Sequence, residues 1–250
     1  MHEYTSDFYA YQEPGSRASA EVIIPMLMAH LPIRSVLDAG CGRGVWLSVW
    51  KRHGVEDIAG VDGDYVDRAR LHIPADRFMA QDLAGGFDLG RRFDLVSTLE
   101  VAEHLPPAAS PGFVESLTRH GPMVLFSAAV PGQGGENHVN ERSYAYWRGL
   151  FAAKGYRAFD PLRPTIHADA RVEPWYRYNS LLYVHDDAIP GLPPAIAAAR
   201  VPDGSPIPDV SPLPYQLRKL LLRQLPVATV TSLAQLNARM KVRRQGGAPA

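Results

Sequence analysis

Apolar residues along the chain fall into short continuous runs, separated by segments whose apolar residues lie three and four positions apart. Continuous runs are typical of parallel strands buried on both faces, whereas the longer spacing is typical of helices with one buried face. The alternation of the two patterns predicts an α/β fold with a doubly wound sheet.

The predicted elements follow this alternation as far as residue 184. The predicted helices are Val22–Leu31, capped near Ser19 and ended by Pro32, then Val45–His53, Tyr65–Leu71, Pro111–Arg119 and Ser143–Lys154. The predicted strands are Ser35–Leu37, Asp57–Val61, Arg77–Ala80, Phe93–Leu99, Pro122–Ser127, Tyr156–Asp160 and Ser180–Val184. These boundaries are placed where the spacing of the hydrophobic residues changes and where Gly or Pro stands between two elements.

The composition changes after residue 185, which predicts three parts. Residues 1–185 form the catalytic domain, and residues 186–214 contain eight prolines in 29 positions, as expected of a Pro-rich linker or surface wrap. Residues 215–250 are predicted to form a basic amphipathic helical tail, with leucines at helical spacing, an interruption at Pro226 and a second helix over Val230–Val242.

Overall composition narrows the class of protein. The 250 residues are 46% hydrophobic and 21% charged, which is ordinary for a folded globular chain. Cys41 is the only cysteine and excludes an intrachain disulfide, and the residues before Glu21 are too polar for a secretory signal. With no apolar run long enough to span a membrane, these features favour a cytoplasmic location.

Charge is unevenly distributed although the net charge is zero. Residues 1–185 carry 18 basic and 22 acidic groups, and the remaining residues carry 8 basic and 4 acidic groups. An acidic domain lacks the phosphate contacts from which nucleic-acid-binding proteins gain most of their affinity. The charge pattern therefore favours a small-molecule acceptor over a nucleic acid.

A glycine-rich turn follows the first predicted strand, with the sequence Asp38-Ala-Gly-Cys-Gly-Arg-Gly44. Glycines here let the backbone approach a ligand closely, and the next helix presents its unpaired N–H groups. The turn lacks the third glycine of a dinucleotide fingerprint and the Gly-Lys-Ser/Thr of a phosphate loop. Asp38 suits a ligand with a cationic amine, because opposite charges attract.

This turn resembles motif I of the class I S-adenosylmethionine-dependent methyltransferases, and the resemblance covers roughly residues 16 to 185. It implies a Rossmann-like, seven-stranded, mostly parallel sheet and S-adenosylmethionine as cofactor. Asp62, at the end of the second strand, corresponds to the acidic residue that binds both ribose hydroxyls. Asp82 resembles the partner of the adenine amine, and Leu99 lies where the family packs the cofactor.

The resemblance thus implies a donor site formed by Asp38, Gly40, Gly42, Asp62, Asp82 and Leu99. Family members often fold an amino-terminal segment over the cofactor, which implies that Tyr11 and Arg17 contact the methionine carboxylate. Alternatives remain open for each residue. The glycines can form a purely structural turn, Asp62 and Asp82 can cap turns, and the amino-terminal aromatics can simply pack against the domain.

A second set of polar residues follows the fourth and fifth predicted strands. Glu100, Glu103 and His104 have the spacing that places side chains on one face of a helical turn, and His138, with Asn140 and Glu141, lies in the neighbouring loop. Loops at the carboxyl ends of adjacent strands meet at one edge of the sheet. We therefore expect the two sets to converge.

The Glu-x-x-Glu-His stretch with a later His is similar to the metal site of small-RNA 2′-O-methyltransferases and, in its first part, to ubiquinone-pathway O-methyltransferases. The resemblance implies a divalent metal, Mg²⁺ or Mn²⁺, held by Glu100, Glu103, His104 and His138. Alternatively His104 or His138 is a metal-free general base, or the stretch binds no ion and Glu100 only hydrogen bonds the backbone.

These features predict methyl transfer to a hydroxyl of a small molecule, plausible acceptors being a sugar of a polysaccharide or a natural product, because a hydroxyl needs a base or a metal. The alternatives are a metal-dependent RNA 2′-O-methyltransferase and a non-catalytic cofactor-binding scaffold. Trp147 and Trp175 either line the acceptor pocket or belong to the core. The basic tail contacts a membrane surface, a protein partner, its own domain or a second subunit of a homodimer.

Overall fold

A computed structural model describes the backbone of residues 6–246 and the side chains of residues 12–237 and 240. Its strands are β1 (Ser35–Ala39), β2 (Asp57–Asp62), β3 (Phe78–Ala80), β4 (Leu95–Leu99), β5 (Met123–Ser127), β6 (Tyr156–Phe159) and β7 (Leu181–His185). Its helices are α1 (Ser6–Met28), α2 (Val45–Arg52), α3 (Ser110–His120), α4 (Tyr144–Ala152), α5 (Arg163–Ile166), α6 (Pro174–Asn179), α7 (Pro194–Ala197), α8 (Leu213–Leu222) and α9 (Val227–Gly246).

The seven strands form one sheet in the order β3-β2-β1-β4-β5-β7-β6, which confirms the predicted Rossmann-like, mostly parallel architecture. Only β7 runs antiparallel, between β5 and β6. The order reverses between β1 and β4, where Val36 pairs with Ile58 on one side and Leu95 on the other. In such sheets a crevice for ligands opens at this reversal, beyond the carboxyl ends of the strands.

The strands are apolar throughout because both faces of the sheet are covered. Neighbouring side chains of a strand point to opposite faces, so Val36 and Leu37 belong to different cores. One core contains α1 and α2, with Trp50 fully buried, and the other contains α3 and α4, with Phe113 and Trp147 buried. Of the two alternatives for Trp147, the acceptor pocket or the core, the structure shows the core.

Two helix predictions were wrong in extent. The first helix starts at Ser6 and runs through Pro14 and Pro25 rather than starting near Val22. Tertiary contacts offset the missing backbone bonds, since α1 packs on α2 and α9 and the Ser16 hydroxyl lies 2.9 Å from that of Tyr176. The predicted helix Tyr65–Leu71 is a single 3₁₀ turn, Arg68–Arg70.

The segment after β7 lies along the domain surface and joins it by hydrogen bonds. Val201 N–H donates to Ala158 O at 2.9 Å and Asp160 N–H donates to Ala199 O at 2.9 Å, so the segment extends the pairing at the β6 edge. It leads to α8 and α9, of which α9 packs against α1. No helix among residues 6–246 combines the length and the hydropathy needed to cross a bilayer.

Arg163 anchors this segment and yields a stability prediction. Its fully buried guanidinium pairs with Asp160 at 2.7 Å and donates to Pro208 O at 3.1 Å. Arg163→Met leaves a half-buried carboxylate unpaired, so we expect the free energy of unfolding to fall by about 3 kcal/mol or more in urea titrations. Arg171→Met, which breaks an exposed pair with Asp169, is the control and should change it far less. Equal effects would contradict this role of Arg163.

Candidate active site

A cavity of about 470 Å³ opens at the reversal of strand order, between the carboxyl ends of β1 and β4. The glycine turn after β1, Asp62 at the end of β2 and Leu99 at the end of β4 line it from the sheet. Gln12 and Glu13 of α1 line it from above. The predicted donor residues Asp38, Gly40, Gly42, Asp62, Asp82 and Leu99 all lie on this cavity, which we call the donor cavity.

The glycine turn adopts backbone angles that favour glycine. Gly40, Gly42 and Gly44 have φ values of 83°, 53° and 80°, in the left-handed region. A Cβ on Gly40 would also overlap the side chain of Val101, which follows β4. Glycine therefore lets the turn after β1 approach the loop after β4 closely, and this approach closes one side of the donor cavity.

Asp62, at the end of β2, connects that strand end to the glycine turn after β1. One carboxylate oxygen accepts hydrogen bonds from Gly63 N–H at 2.7 Å and from the Tyr65 hydroxyl at 2.6 Å, and the other accepts from Gly42 N–H at 2.6 Å. Burial raises the pKa of Asp62, and these hydrogen bonds partly offset the rise. Three of the roughly four acceptor sites of the carboxylate are thus filled, so the second oxygen can accept one ligand hydroxyl and the first can accept another in place of the Tyr65 hydroxyl.

Asp38 is buried close to Asp62, and none of the described Lys or Arg side chains pairs with it. Its carboxylate accepts a hydrogen bond from the Ser97 hydroxyl at 2.6 Å. Burial raises its pKa from 3.8 to about 7, the Ser97 bond opposes this and the charge of Asp62 adds to it. A cationic ligand in the donor cavity would remove this penalty, because it favours the ionised carboxylate.

The remaining predicted donor residues are less constrained. Asp82 is exposed and accepts a hydrogen bond from Ala84 N–H at 3.0 Å, so it caps a 3₁₀ turn while also lining the donor cavity. Arg17 does not line the cavity, because its guanidinium is directed to the Ser48 hydroxyl at 3.3 Å. The side chain of Tyr11 lies outside the described residues.

Arg43 is a cavity residue that the sequence analysis did not identify. It lies inside the glycine turn and pairs with Glu13 of α1 at 3.2 Å, and Glu13 also lies 3.1 Å from His72 Nε2. These contacts fix α1 over the donor cavity. In the sequence, the position of Arg43 between two of the motif glycines was the signal that could have indicated its place at this cavity.

Glu100 departs from the predicted convergence. Its φ of 58° is in the left-handed region, which is unusual for a residue with a side chain. Its carboxylate accepts hydrogen bonds from Gln133 Nε2 at 2.7 Å and Asn179 Nδ2 at 3.3 Å. This amide pair engages Glu100, and its carboxylate oxygens are not among the three ligand atoms that lie within 4.8 Å of one another, although Glu100 lines the same cavity and its charge acts on Glu103.

Glu103, His104 and His138 do converge. One ligand atom from each of the three side chains lies within 4.8 Å of the others, and the two imidazole rings meet edge to face with centroids 4.9 Å apart. Glu103 is fully buried, yet neither carboxylate oxygen has a hydrogen-bond partner among the described residues. Burial, reinforced by the nearby Glu100 charge, raises the pKa of Glu103 well above 4.5.

Hydrogen bonds orient both histidines with Nε2 as the basic nitrogen. His138 Nδ1 lies 2.9 Å from Glu141, which also accepts from Gly132 and Gly134 N–H. Burial alone would raise the pKa of Glu141, but these bonds lower it below 4.5, so the carboxylate accepts and His138 Nδ1 donates. His104 Nδ1 likewise donates to a carbonyl, Asn137 O, at 3.3 Å.

This donor set fits a divalent cation. Metal-ligating histidines in proteins commonly donate Nδ1–H to a carboxylate or a carbonyl, as both do here. The unpartnered oxygens of Glu103 supply the anionic ligand that a buried cation needs. Two imidazoles and one carboxylate suit Mn²⁺, Co²⁺ or Zn²⁺ better than Mg²⁺, which prefers oxygen.

A second cavity of about 330 Å³ adjoins the donor cavity, and both are lined by Gln12, Glu100 and His104. Glu103 and His138 lie at its floor, and Trp175 lines its wall. Its roof is formed by side chains of the last two helices, namely Tyr215 and Arg218 of α8 and Ala234 and Asn237 of α9. We call it the acceptor cavity, and its roof was not predicted because loop and tail packing leaves no periodic pattern.

Asn140 explains how the loop after β5 reaches the floor of the acceptor cavity. Its buried amide donates to Ala102 O at 3.1 Å and to the Ser110 hydroxyl at 2.9 Å. In return, the backbone N–H groups of Val139 and Asn140 donate to Glu103 O, each at 2.9 Å. These four bonds fix His138 against the 3₁₀ turn that carries Glu103.

Comparison with known proteins identifies the family. The family model described as a methyltransferase domain matches residues 6–160. The ubiquinone biosynthesis O-methyltransferase of Neisseria meningitidis serogroup C is 29% identical over 144 residues, which cover 53% of this chain and 56% of that protein. The chain thus spans little more than half the length of this curated relative.

Solved structures share the fold. The sugar N-methyltransferase KedS8 from Streptoalloteichus superimposes with a TM-score of 0.58 and 20% identity, covering 74% of this chain and 94% of that one. CalS10 is an amino pentose methyltransferase from Micromonospora echinaspora that was solved with S-adenosylmethionine bound. It superimposes with a TM-score of 0.52 and 17% identity, covering 74% of this chain and 100% of that one.

The raised pKa of Asp38 predicts a pH-dependent cost to stability. The folded state retains this proton up to pH about 7, whereas the unfolded chain loses it near 3.8, so the group's contribution to stability falls as pH rises between these values. The full cost at pH 8 is about 4 kcal/mol. Asp38→Asn removes this cost. In urea titrations the free energy of unfolding of the variant should therefore exceed that of the parent, and the difference should be larger at pH 8 than at pH 5.

Asp64→Asn, at an exposed neighbouring carboxylate, is the control for this experiment and should show no such growth. A gain for Asp38→Asn that is the same at both pH values would contradict the burial of an ionisable carboxylate at this position.

Proposed function

This chain belongs to the class I S-adenosylmethionine-dependent methyltransferase family, and we propose that it transfers a methyl group from that donor to a hydroxyl of a small molecule, such as a sugar. The observation that supports O-methylation most is the position of His104, on the boundary of both cavities. A basic nitrogen is thereby available where a donor and an acceptor would meet.

In this proposal the donor cavity holds S-adenosylmethionine by charge and by hydrogen bonds. The ionised form of Asp38 attracts the amine of the methionine part, and Asp62 accepts the two ribose hydroxyls. Asp82 binds the adenine amine, and Leu99 packs against the adenosine. Arg43 lies in the glycine turn, lines the donor cavity and would pair with the methionine carboxylate as well as with Glu13, the role first expected of Arg17.

The reaction is a single displacement. The bond between sulfur and the methyl carbon breaks as the bond between that carbon and the acceptor oxygen forms, and sulfur keeps the electron pair. The hydroxyl proton passes to His104 or His138 at Nε2, the nitrogen that the Nδ1 hydrogen bonds leave basic. The two cavities contribute mainly by holding donor and acceptor in line.

As the alternative to a histidine base, we propose that Glu103, His104 and His138 hold a divalent cation, in which case the two imidazoles are ligands and the hydroxyl proton passes to water. Such an ion would supply a Lewis acid that lowers the pKa of an acceptor hydroxyl. Glu141 and Asn140 are then positioning residues, since the first orients His138 and the second fixes its loop.

The lining of the acceptor cavity suits a polyhydroxylated molecule. Gln12 and Asn237 offer amide groups that can both donate and accept, and Trp175 and Tyr215 add aromatic side chains to the lining. Carboxylates at Glu100, Glu103 and Glu136 disfavour a phosphate chain, so an RNA acceptor is not supported by this cavity.

Loss of Asp62 tests donor binding. Asp62→Ala removes the acceptor of two ribose hydroxyl bonds, each worth about 1.5–3 kcal/mol to a charged group, so affinity should fall at least about 100-fold. The measurement is isothermal titration calorimetry with S-adenosylhomocysteine. Asp64→Ala is the matched control and should bind like the parent. Tight binding by Asp62→Ala, or none by the parent, would contradict the donor site.

Binding of Mn²⁺ tests the cation site without an acceptor. After dialysis against chelator, the parent should bind one Mn²⁺ per chain in an electron paramagnetic resonance titration, and Glu103→Gln should bind at least about 10-fold more weakly, because it removes the anionic ligand. Glu115→Gln, on the far surface, is the control. Equal binding by Glu103→Gln, or none by the parent, would leave the histidines as metal-free bases.

A further inference from the structure

Exposed apolar side chains are concentrated on the last two helices. Ten large hydrophobic residues are exposed within the described part of the chain, and all except Val139 lie between Leu213 and Met240. Leu213 and Leu221 are 74% and 72% exposed. A cluster of this kind marks an interaction surface, because scattered single residues would need no explanation.

The exposed residues form one face on each helix. On α8 they are Leu213, Leu217, Leu220 and Leu221, and on α9 they include Leu233, Leu236 and Met240. Positions three, four and seven apart share one side of a helix. We call these seven residues the apolar face.

Polar contacts hold α8 with its leucines outward. Lys219 is buried, pairs with Asp209 and donates to the Ser211 hydroxyl at 3.1 Å. Arg218 donates to Gln133 O and Arg223 donates to Pro131 O, each at 2.7 Å. The cationic side of the helix thus packs on the domain, and its exposed leucines are not covered by any of the residues whose side chains the structure describes.

Charge identifies the partner. Besides the three cations at α8 that contact the domain, residues 210–250 contain four basic side chains, Arg239, Lys241, Arg243 and Arg244, and no acidic side chain. A second copy bound through the same face in a two-fold dimer would bring basic segments together, which is unfavourable. An anionic lipid surface satisfies both features, since its acyl boundary accepts leucines and its headgroups attract Lys and Arg. We propose that α8 and α9 bind an anionic membrane surface through the apolar face.

The same helices roof the acceptor cavity, which connects membrane binding to the substrate. Tyr215 and Arg218 of α8 and Asn237 of α9 line that cavity, so a bound tail brings it next to the lipid headgroups. On the basis of the proposed function, the acceptor is then the hydroxylated head of an amphipathic molecule, such as a lipid-linked sugar, rather than a freely diffusing sugar.

Vesicle co-sedimentation tests the proposal with the full chain. The probes are vesicles of phosphatidylcholine alone and of phosphatidylcholine with 30% phosphatidylglycerol, a composition chosen to be about as anionic as a cytoplasmic leaflet. The chain should sediment with the anionic vesicles and at least about 10-fold less with the neutral ones. The double variant Leu217→Glu and Leu221→Glu should lose at least about 10-fold in binding.

The matched control adds the same charge elsewhere. Ala195→Glu with Ala198→Glu, at exposed sites before α8, should sediment like the parent. Binding of S-adenosylhomocysteine by each variant, measured separately, shows that it is folded and keeps failure of the donor site distinct from failure of membrane binding. No sedimentation of the parent, or equal sedimentation of the leucine variant, would overturn the proposal. So would a parent dimer in velocity sedimentation that the leucine substitutions dissociate.

Discussion

Burial of carboxylates at the carboxyl ends of the central strands is the constraint on which this structure depends. Asp38, Asp62 and Glu103 are each at most 5% exposed, and burial raises the pKa of all three. Among the described residues no Lys or Arg pairs with them, and hydrogen bonds stabilise only the first two. The fold therefore buries ionisable carboxylates where a cationic donor and a divalent ion would favour their charged form.

The surrounding structure keeps these groups in place. Gly40 allows the β1 and β4 loops to meet, the left-handed turn at Glu100 directs its carboxylate to an amide pair, and Asn140 fixes the loop that carries His138. Strain of this kind is found at functional sites, where packing and hydrogen bonds compensate for it. The site is consequently preorganised, which is what catalysis by positioning requires.

The sequence alone predicted the sheet, the donor turn and the meeting of Glu103, His104 and His138, because strand periodicity and strand-end position determine them. It could not predict that Glu100 bonds to Gln133 and Asn179, since a left-handed residue leaves no pattern, or that α1 continues through Pro14, since tertiary packing stabilises that turn. The roof of the acceptor cavity and the role of Arg43 depend on contacts distant in sequence.

Proton release on donor binding tests the central claim most directly. At pH 6 the amine of S-adenosylhomocysteine is already protonated, whereas Asp38, with a pKa of about 7, still holds its proton. Calorimetric titrations in buffers of different ionisation enthalpy should therefore reveal release of nearly one proton per ligand bound, and none for Asp38→Asn. Binding without proton release by the parent would contradict the account, because Asp38 would then not be the carboxylate that the donor ionises.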